Sequence, residues 1–212
     1  MNNETKILGG IIVFTIVLFV LGVFFIGSKE ETKSQLLTEL DQVDGTNVKG
    51  NTEGTDIVIE FADFQCPACA GFAPVLSQFI EENKESVKFV MKHFPLASIH
   101  KNAMNSSYAA EAASKQGKFW EMHDILYARQ TEWSEIDNAE EVFKDYAKEL
   151  ELDVEKFGND FLSKEVRDAV RTDLTLALNL GLDSTPTIFI NGKKYVGPAT
   201  VADLNSALEK SR

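Results

Sequence analysis

The chain has 212 residues, of which 33 are acidic and 21 are basic, so its formal net charge is -12 at pH 7. A surface with this charge repels a phosphate backbone, which argues against nucleic acid as a partner. The two cysteines are too few for a disulfide-scaffolded mini-protein or for a zinc site with four thiolates, so any thiol chemistry has to use them as a pair.

The amino-terminal region contains a long apolar segment. Residues 7–26 carry no charge, and a helix of this length spans a hydrocarbon core of about 30 Å. A cleaved signal peptide is the alternative, but its apolar region is about 7 to 15 residues long and ends at an A-x-A-like site. No such site directly follows residue 26. We therefore predict a transmembrane anchor over 7–26, preceded by a short cytoplasmic segment over 1–6.

The charges that flank this segment do not fix its orientation, because Lys6 lies on one side and Lys29 and Lys33 lie on the other. A working disulfide would place the rest of the chain outside the cytoplasm, where disulfides persist. Residues 27–50 are mostly polar, and they predict a tether that can include a short strand docked on the domain. The folded domain is predicted over 51–212.

The next predicted elements alternate between strand and helix. A β-rich run at 57–62 leads to Cys66-Pro67-Ala68-Cys69. Apolar residues at helical spacing over 72–80 predict an amphipathic helix, and 87–91 is a second strand candidate. Strand, helix and strand in this order predict a βαβ unit with two parallel strands.

Helical patterns dominate residues 98–181, and sheet character returns after them. Asn138 with Glu141 resembles a capping box, and Gly181 is a predicted helix stop. Near the carboxyl end, Asn191-Gly192 between two strand candidates predicts a hairpin with a type I′ turn. A closing helix follows at about 201–208.

The two cysteines form the strongest chemical motif in the chain. A helix N terminus presents unpaired N–H groups and a partial positive charge, so it stabilises a thiolate relative to a thiol. A lower thiol pKa makes the cysteine a better leaving group and its disulfide more oxidising. We predict Cys66, at the helix cap, as the exposed nucleophile and Cys69, one turn later, as the resolving thiol.

Two other interpretations of the cysteine pair stay open on this evidence. A half zinc site would need further ligands from His93, His100 and His123 or from a partner chain. His123 lies on an apolar helical stripe, where a hydrogen-bonded, partly buried histidine is the simpler interpretation. A structural disulfide is the other, although so small a loop removes little entropy from the unfolded chain. The strand before the motif and the helix after it favour redox chemistry.

The resemblance to a known family rests on two segments, FADFQCPACAGFAPVL and, far downstream, STPTIFINGK. Together they resemble the DsbA-like branch of the thioredoxin superfamily, including its membrane-anchored bacterial members. The resemblance covers roughly residues 47–208. It implies an α/β thioredoxin-like fold with a helical insertion at about 98–181, preceded by a single transmembrane helix.

The resemblance also implies roles for five residues. Cys66 and Cys69 match the redox pair, and Glu60 matches an acidic residue beneath it that can accept the proton of Cys69. Pro186 matches a cis-proline opposite the cysteines, and Thr185 offers backbone hydrogen bonds to an extended substrate strand. From the residues alone, Glu60 can equally be a solvent-facing charge, and Pro186 can be a trans proline that starts a strand.

The implied function is a membrane-anchored, extracytoplasmic thiol-disulfide oxidoreductase that introduces disulfides into unfolded or partly folded exported proteins. No metal is expected. No soluble cofactor is needed either, because a membrane quinone-linked thiol oxidase can take the electrons. Ala68 is a departure, since strongly oxidising members carry histidine there, so a reductase or isomerase stays open as the alternative. A non-enzymatic thiolate carrier of copper or zinc is the alternative from another class.

Overall fold

The computed structural model of the protein describes residues 47–212. The predicted segments over 1–6 and 7–26, and most of the predicted tether, therefore lie outside the described residues. Within the described residues, no helix is both long enough and apolar enough to span a bilayer.

A mixed sheet forms the centre of the described domain, and its strands are β1 (Val48–Gly50), β2 (Asp56–Ala62), β3 (Val87–His93), β4 (Thr187–Ile190) and β5 (Lys193–Lys194). Their order across the sheet is β1-β3-β2-β4-β5. The β2 and β3 strands are parallel, and the other three pairs of neighbours are antiparallel.

The helices of the described residues are α1 (Pro67–Glu82), α2 (Ala103–Ser114), α3 (Phe119–Ala128), α4 (Gln130–Trp133), α5 (Ala139–Glu149), α6 (Val154–Leu162), α7 (Lys164–Asn179) and α8 (Val201–Ser211). The α1 helix connects the parallel strands β2 and β3, which confirms the predicted βαβ unit. The helices α2 to α7 lie between β3 and β4 in the chain, so they form the predicted helical insertion.

The first strand extends the domain beyond its predicted boundary. Val48–Gly50 lies in the predicted tether and pairs with β3, so it is a short docked strand of the kind that the tether is expected to include. In addition, Met91 N donates to Asn47 O at 3.0 Å. The described part of the sheet therefore begins four residues before the predicted boundary at residue 51. A strand of three residues at a sheet edge is too short to give a periodic signal in the sequence.

The central strand β2 is covered on both faces. Val58 and Ala62 belong to the core that includes α1 and the insertion helices. On the other face, the ring of Phe61 meets that of Phe189 edge to face, with 6.0 Å between centroids. Because both faces are buried, the alternation of residues along β2 carries no information about which side chains meet solvent.

The predicted turn at the end of the chain forms as expected. Asn191 and Gly192 have positive φ angles of 45° and 75°, which the type I′ turn requires. Gly181 has a positive φ of 70° just beyond α7, so it ends that helix as predicted. Asn138 does precede α5, but its side chain makes no capping hydrogen bond, so the predicted capping box is wrong.

Candidate active site

The cysteine pair lies where β2 ends and α1 begins. Cys66 is the N-cap of α1, and Pro67 is its first helical residue. Proline suits this position, because it has no N–H to pair and its φ is already close to the helical value. Cys69 follows in the first turn, so both sulfurs lie at the same helix end, and the helix continues through Pro74 to Glu82.

The two thiols differ in their access to solvent. Cys66 is 7% exposed and Cys69 is fully buried. Both are free thiols, and the residues between them, Pro67 and Ala68, are exposed. The predicted exposure of Cys66 is therefore limited to a small part of its surface, and only this part of the pair is open to a sulfur atom of another molecule.

The two thiols also differ in acidity. Hydrogen bonds from the Cys69 thiol and from the backbone N–H groups of Cys69 and Ala68 lower the pKa of Cys66 to about 5, although burial acts in the opposite direction. Burial raises the pKa of Cys69 above its ordinary value, and the neighbouring Cys66 and Glu60 add to this rise. At neutral pH, Cys66 is therefore a thiolate and Cys69 a thiol.

Glu60 lies inside the protein, and the surface position that the sequence left open is wrong. Its side chain comes from the central strand and is 2% exposed. Its Oε1 atom has no hydrogen-bond partner among the described residues. Burial, followed by the charge of Cys66, raises the pKa of Glu60 to about 8. A carboxyl group with this pKa can both donate and accept a proton near neutral pH.

The loop before β4 meets the cysteine pair. The Sγ atom of Cys66 lies 3.5 Å from the carbonyl oxygen of Thr185. The peptide bond between Thr185 and Pro186 is cis, the configuration that the resemblance implies. Thr187 Oγ1 donates to Ser184 O at 2.8 Å, and this hydrogen bond stabilises the conformation of the loop. The substrate-binding roles of Thr185 and Pro186 stay predictions.

The buried carboxylate of Asp63 holds the segment before Cys66 in place. The sequence did not indicate this structural role. The side chain of Asp63 is fully buried and accepts hydrogen bonds from the backbone N–H groups of Gln65 and Leu96, at 2.8 and 2.9 Å. His100 Nδ1 lies 2.7 Å from the same carboxylate. Asp63 therefore joins the loop after β2, which carries the cysteines, to the loop after β3.

Two amide side chains join this segment to the helical insertion. Gln65 Nε2 donates to Ser134 O at 2.8 Å, and Gln65 Oε1 accepts from Asn102 N at 2.6 Å. The Asn102 side chain donates to three backbone carbonyls over 133–136, at 2.9 to 3.1 Å. The partners lie up to 69 residues apart in the chain, so no local pattern in the sequence signals these contacts.

The histidines do not complete a metal site with the cysteines. Within residues 47–212, no group of three or more His, Cys, Asp and Glu side chains could hold a metal ion. Each histidine instead contacts a carboxylate: His93 with Glu111 at 2.9 Å, His100 with Asp63 at 2.7 Å and His123 with Asp124 at 2.7 Å.

A small cavity borders Glu60. Its volume is about 20 Å³, and its walls include Lys49 from β1 and Trp120, His123 and Asp124 from α3. The side chain of His123 is 9% exposed and that of Asp124 is 65% exposed. The sequence interpretation of His123 as a partly buried, hydrogen-bonded side chain agrees with this position.

Comparison with protein families and solved structures gives one family and one fold. A family model described as thioredoxin matches residues 42–210. A thioredoxin-like oxidoreductase from Silicibacter pomeroyi is 26% identical and covers 78% of this chain and 91% of its own, with a TM-score of 0.66. Oxidised BdbD from Bacillus subtilis is 23% identical with the same coverage and TM-score. The thiol-disulfide exchange protein α-DsbA2 from Wolbachia pipientis is 19% identical, covers 88% and 98%, and has a TM-score of 0.71.

Curated relatives with higher identity are much longer proteins. The Na⁺/H⁺ antiporter NhaA 3 of Salinispora tropica is 34% identical over 165 residues, which are 78% of this chain and 24% of the antiporter. The chain thus spans about a quarter of the length of the curated relatives that it matches. Their name describes the longer proteins.

Proposed function

This chain belongs to the thioredoxin family, with a DsbA-like fold, and we propose that it is a thiol-disulfide oxidoreductase that introduces disulfides into exported proteins. The observation that carries the proposal is the difference between its two thiols. Cys66 is reachable and has a pKa of about 5, whereas Cys69 is fully buried and has a raised pKa. This asymmetry suits a nucleophile and a resolving thiol.

The proposed reaction starts from the disulfide form. A substrate thiolate attacks Cys66 Sγ, the bond to Cys69 breaks, and the electron pair goes to Cys69 Sγ, which takes a proton from the carboxyl group of Glu60. A second substrate thiolate then attacks the substrate sulfur of the mixed disulfide and releases Cys66 as a thiolate. The substrate gains a disulfide, and the cysteine pair gains two electrons.

The direction of the reaction follows from the stability of the released thiolate. Hydrogen bonds at the start of α1 stabilise the Cys66 thiolate, which stabilises the reduced form and makes the disulfide more oxidising. These hydrogen bonds act without the histidine that strongly oxidising relatives carry in place of Ala68. Oxidation therefore stands ahead of the reductase or isomerase alternative.

The proposal includes a partner and a place in the cell. A membrane quinone-linked thiol oxidase takes the electrons from reduced Cys66 and Cys69. The segment over 7–26, outside the described residues, anchors the chain with the catalytic domain on the extracytoplasmic side. The substrates are unfolded or partly folded exported proteins with cysteines.

The reduction potential of the full chain tests the direction. Equilibration with glutathione buffers of known potential, followed by alkylation of free thiols and mass spectrometry, gives the value. We expect about -120 to -180 mV, which fits a disulfide donor. A value near about -270 mV would favour a reductase, and the absence of a reversible couple would remove the enzymatic function altogether.

The anchor has a separate test. The full chain and a chain lacking 1–27 are produced in a bacterial host, and a membrane-impermeant maleimide is added to intact cells. We expect the full chain in the membrane fraction, with Cys66 labelled in intact cells. A Cys66→Ser chain controls for labelling of other groups. Labelling of the full chain only after lysis would contradict the extracytoplasmic position.

A further inference from the structure

One face of α3 lies against the cavity beside Glu60. Trp120, His123 and Asp124 are at i, i+3 and i+4, so they share this face, and all three line the cavity. The cavity of about 20 Å³ has room for a water molecule. Lys49 from β1 forms another part of the wall, with its Nζ atom 5.1 Å from the centre of the Trp120 ring.

Glu60 needs a route by which protons reach it. The redox cycle adds and removes a proton at Cys69, and each transfer to or from Glu60 has to be balanced by solvent. Glu60 is 2% exposed and Cys69 is fully buried, so neither exchanges protons directly with bulk water. Cys66 cannot carry this proton to solvent either, because it stays a thiolate near neutral pH, with a pKa of about 5.

His123 and Asp124 connect the cavity with the surface. The side chain of His123 is 9% exposed, that of Asp124 is 65% exposed, and His123 Nδ1 lies 2.7 Å from Asp124 Oδ1. A carboxylate only accepts hydrogen bonds, so Nδ1 carries the proton of the neutral ring and Nε2 is the nitrogen that can accept one. Burial lowers the pKa of His123, so the ring is neutral near pH 7 and carries a proton only transiently, as a relay does.

We propose that His123 and Asp124 form a proton route between Glu60 and solvent, through a water molecule in the cavity beside Glu60. Before Cys69 attacks a mixed disulfide on Cys66, the Glu60 carboxyl group gives its proton to the water, the water gives one to His123 Nε2, and the Nδ1 proton leaves by way of Asp124. The Glu60 carboxylate formed in this way then accepts the proton of Cys69. In substrate oxidation the same route runs in reverse and restores the proton that Glu60 has given to Cys69. This inference rests on the proposed function.

Other titratable groups of the described residues also lie near Glu60. Cys66 and Cys69 approach from α1 and take part in the disulfide chemistry itself. Lys49 from β1 also lines the cavity, and its positive charge contributes to the lowered pKa of His123. The hydroxyl group of Tyr127 on α3 stays neutral, because burial raises its pKa well above the ordinary value.

The test separates the two thiols in one measurement. The reduced full chain is mixed with 5,5′-dithiobis(2-nitrobenzoate), an aromatic disulfide, in a stopped-flow spectrometer. The first thionitrobenzoate released reports the attack by Cys66. The second reports the attack by Cys69 on the mixed disulfide, which is the step that sends a proton to Glu60.

The variants are His123→Gln and Asp124→Asn, and Glu121→Gln is the matched control. Glu121→Gln removes a carboxylate from the same helix, but that carboxylate pairs with Lys118 at 2.9 Å and does not line the cavity. We expect the second phase to slow about tenfold or more in His123→Gln and to slow in Asp124→Asn. The first phase stays unchanged in both variants, and both phases stay unchanged in Glu121→Gln.

Chemical rescue distinguishes a proton route from a structural effect. In a His123→Ala chain, imidazole in the buffer can enter the space left by the ring, and we expect it to restore the second phase. Asp124 is exposed, so Asp124→Asn gives a folded chain even where His123 variants lose packing against Trp120 and Tyr127, whose ring centres lie 5.0 and 4.9 Å away.

Three results would overturn the inference. The first is a second phase at the wild-type rate in both His123→Gln and Asp124→Asn. The second is a slowed phase that imidazole does not restore in a His123→Ala chain whose first phase is unchanged. The third is a wild-type chain that releases only one thionitrobenzoate, and this result alone would also remove the proposed function.

Discussion

The sulfur atom of Cys66 lies 3.5 Å from the carbonyl oxygen of Thr185, although 119 residues separate them in the chain. Cys66 follows β2 and Thr185 precedes β4, and these two strands are neighbours in the sheet. The contact therefore forms only when the two halves of the fold, on either side of the helical insertion, have come together. The cysteine motif supplies the chemistry, and the distant loop completes its surroundings.

Because Cys66 is the proposed nucleophile and Cys69 the resolving thiol, we expect different products from their two serine variants. Cys66→Ser removes the reachable nucleophile, so we expect it to form no adduct with glutathione disulfide. Cys69→Ser keeps the nucleophile but lacks the resolving thiol, so the mixed disulfide on Cys66 accumulates. Intact-protein mass spectrometry detects the adduct, which adds one glutathione to the chain. An adduct on Cys69 in the Cys66→Ser chain would contradict the assignment.

The pKa of Cys66 predicts its reactivity with pH. The rate of alkylation by iodoacetamide follows the thiolate fraction, so it should reach half of its maximum near pH 5 and not near the ordinary value of 9. Cys69→Ser keeps a hydroxyl donor toward Cys66 and should retain a low half-point. Cys69→Ala removes that donor and should raise it. Equal half-points in these two variants would show that the Cys69 side chain is not the main cause.

The pKa of Cys66 also determines how the stability of the reduced protein depends on pH. Because folding lowers the pKa of Cys66 from 9 to about 5, the reduced protein gains stability as pH rises from 5 to 9 and loses it as pH falls through 5. At pH 7 the gain is about 3 kcal/mol, at 1.36 kcal/mol for each pKa unit between 5 and 7. Urea unfolding of the reduced chain from pH 5 to 9, with Cys66→Ser as the control, measures it.

Glu60 predicts the opposite dependence on pH. Its pKa rises from 4.5 in the unfolded chain to about 8 in the folded one, so ionisation costs stability, and the free energy of unfolding should fall as pH rises from 4.5 to 8. The fall amounts to about 3 kcal/mol at pH 7. Glu60→Gln cannot ionise and should lack this fall.

The measurement is urea unfolding over this pH range in a Cys66→Ser background. That background removes the opposing contribution of the Cys66 thiolate, and the Glu60→Gln chain carries the same serine. Parallel stability curves for the two chains would mean that the Glu60 carboxyl group is not held protonated by burial.

The hydrogen bonds of Asn102 predict a large loss of stability. Its side chain donates to three backbone carbonyls over 133–136 and is buried. Asn102→Ala leaves these carbonyls without that donor, so we expect a loss of about 2 to 3 kcal/mol in the free energy of unfolding. Asn138→Ala is the control, because Asn138 is an exposed N-cap without a capping bond. Thermal or urea unfolding should show little change in the control.

Features that depend on neighbouring residues could be predicted from the sequence. The βαβ unit is predicted from a strand-like apolar run followed by apolar residues at helical spacing, and the hairpin from Asn191-Gly192. The position of both cysteines at one helix start is predicted from their spacing. The thioredoxin-like α/β fold with a helical insertion, expected from the resemblance, is confirmed by the family match and by the solved structures. These features are encoded within short stretches of chain.

The remaining features depend on contacts between distant parts of the chain. Glu60 is buried because β2 is the central strand, and residue alternation cannot report that. Asp63 receives its donors from as far as 37 residues away, and Gln65 bonds across 69 residues. The position of His123 beside Glu60 requires α3 to be packed on the sheet. Such relationships arise only when the insertion has folded onto the strands.

The 7% exposure of Cys66 has a consequence for which thiols the protein can select. A sulfur held within a rigid, convex surface cannot come within bonding distance of this atom, whereas a cysteine on a slender, pliable stretch of polypeptide can. Discrimination of this kind needs no recognition of side chains. We therefore expect exchange with cysteines in flexible, unfolded segments and little exchange with thiols fixed in a folded surface.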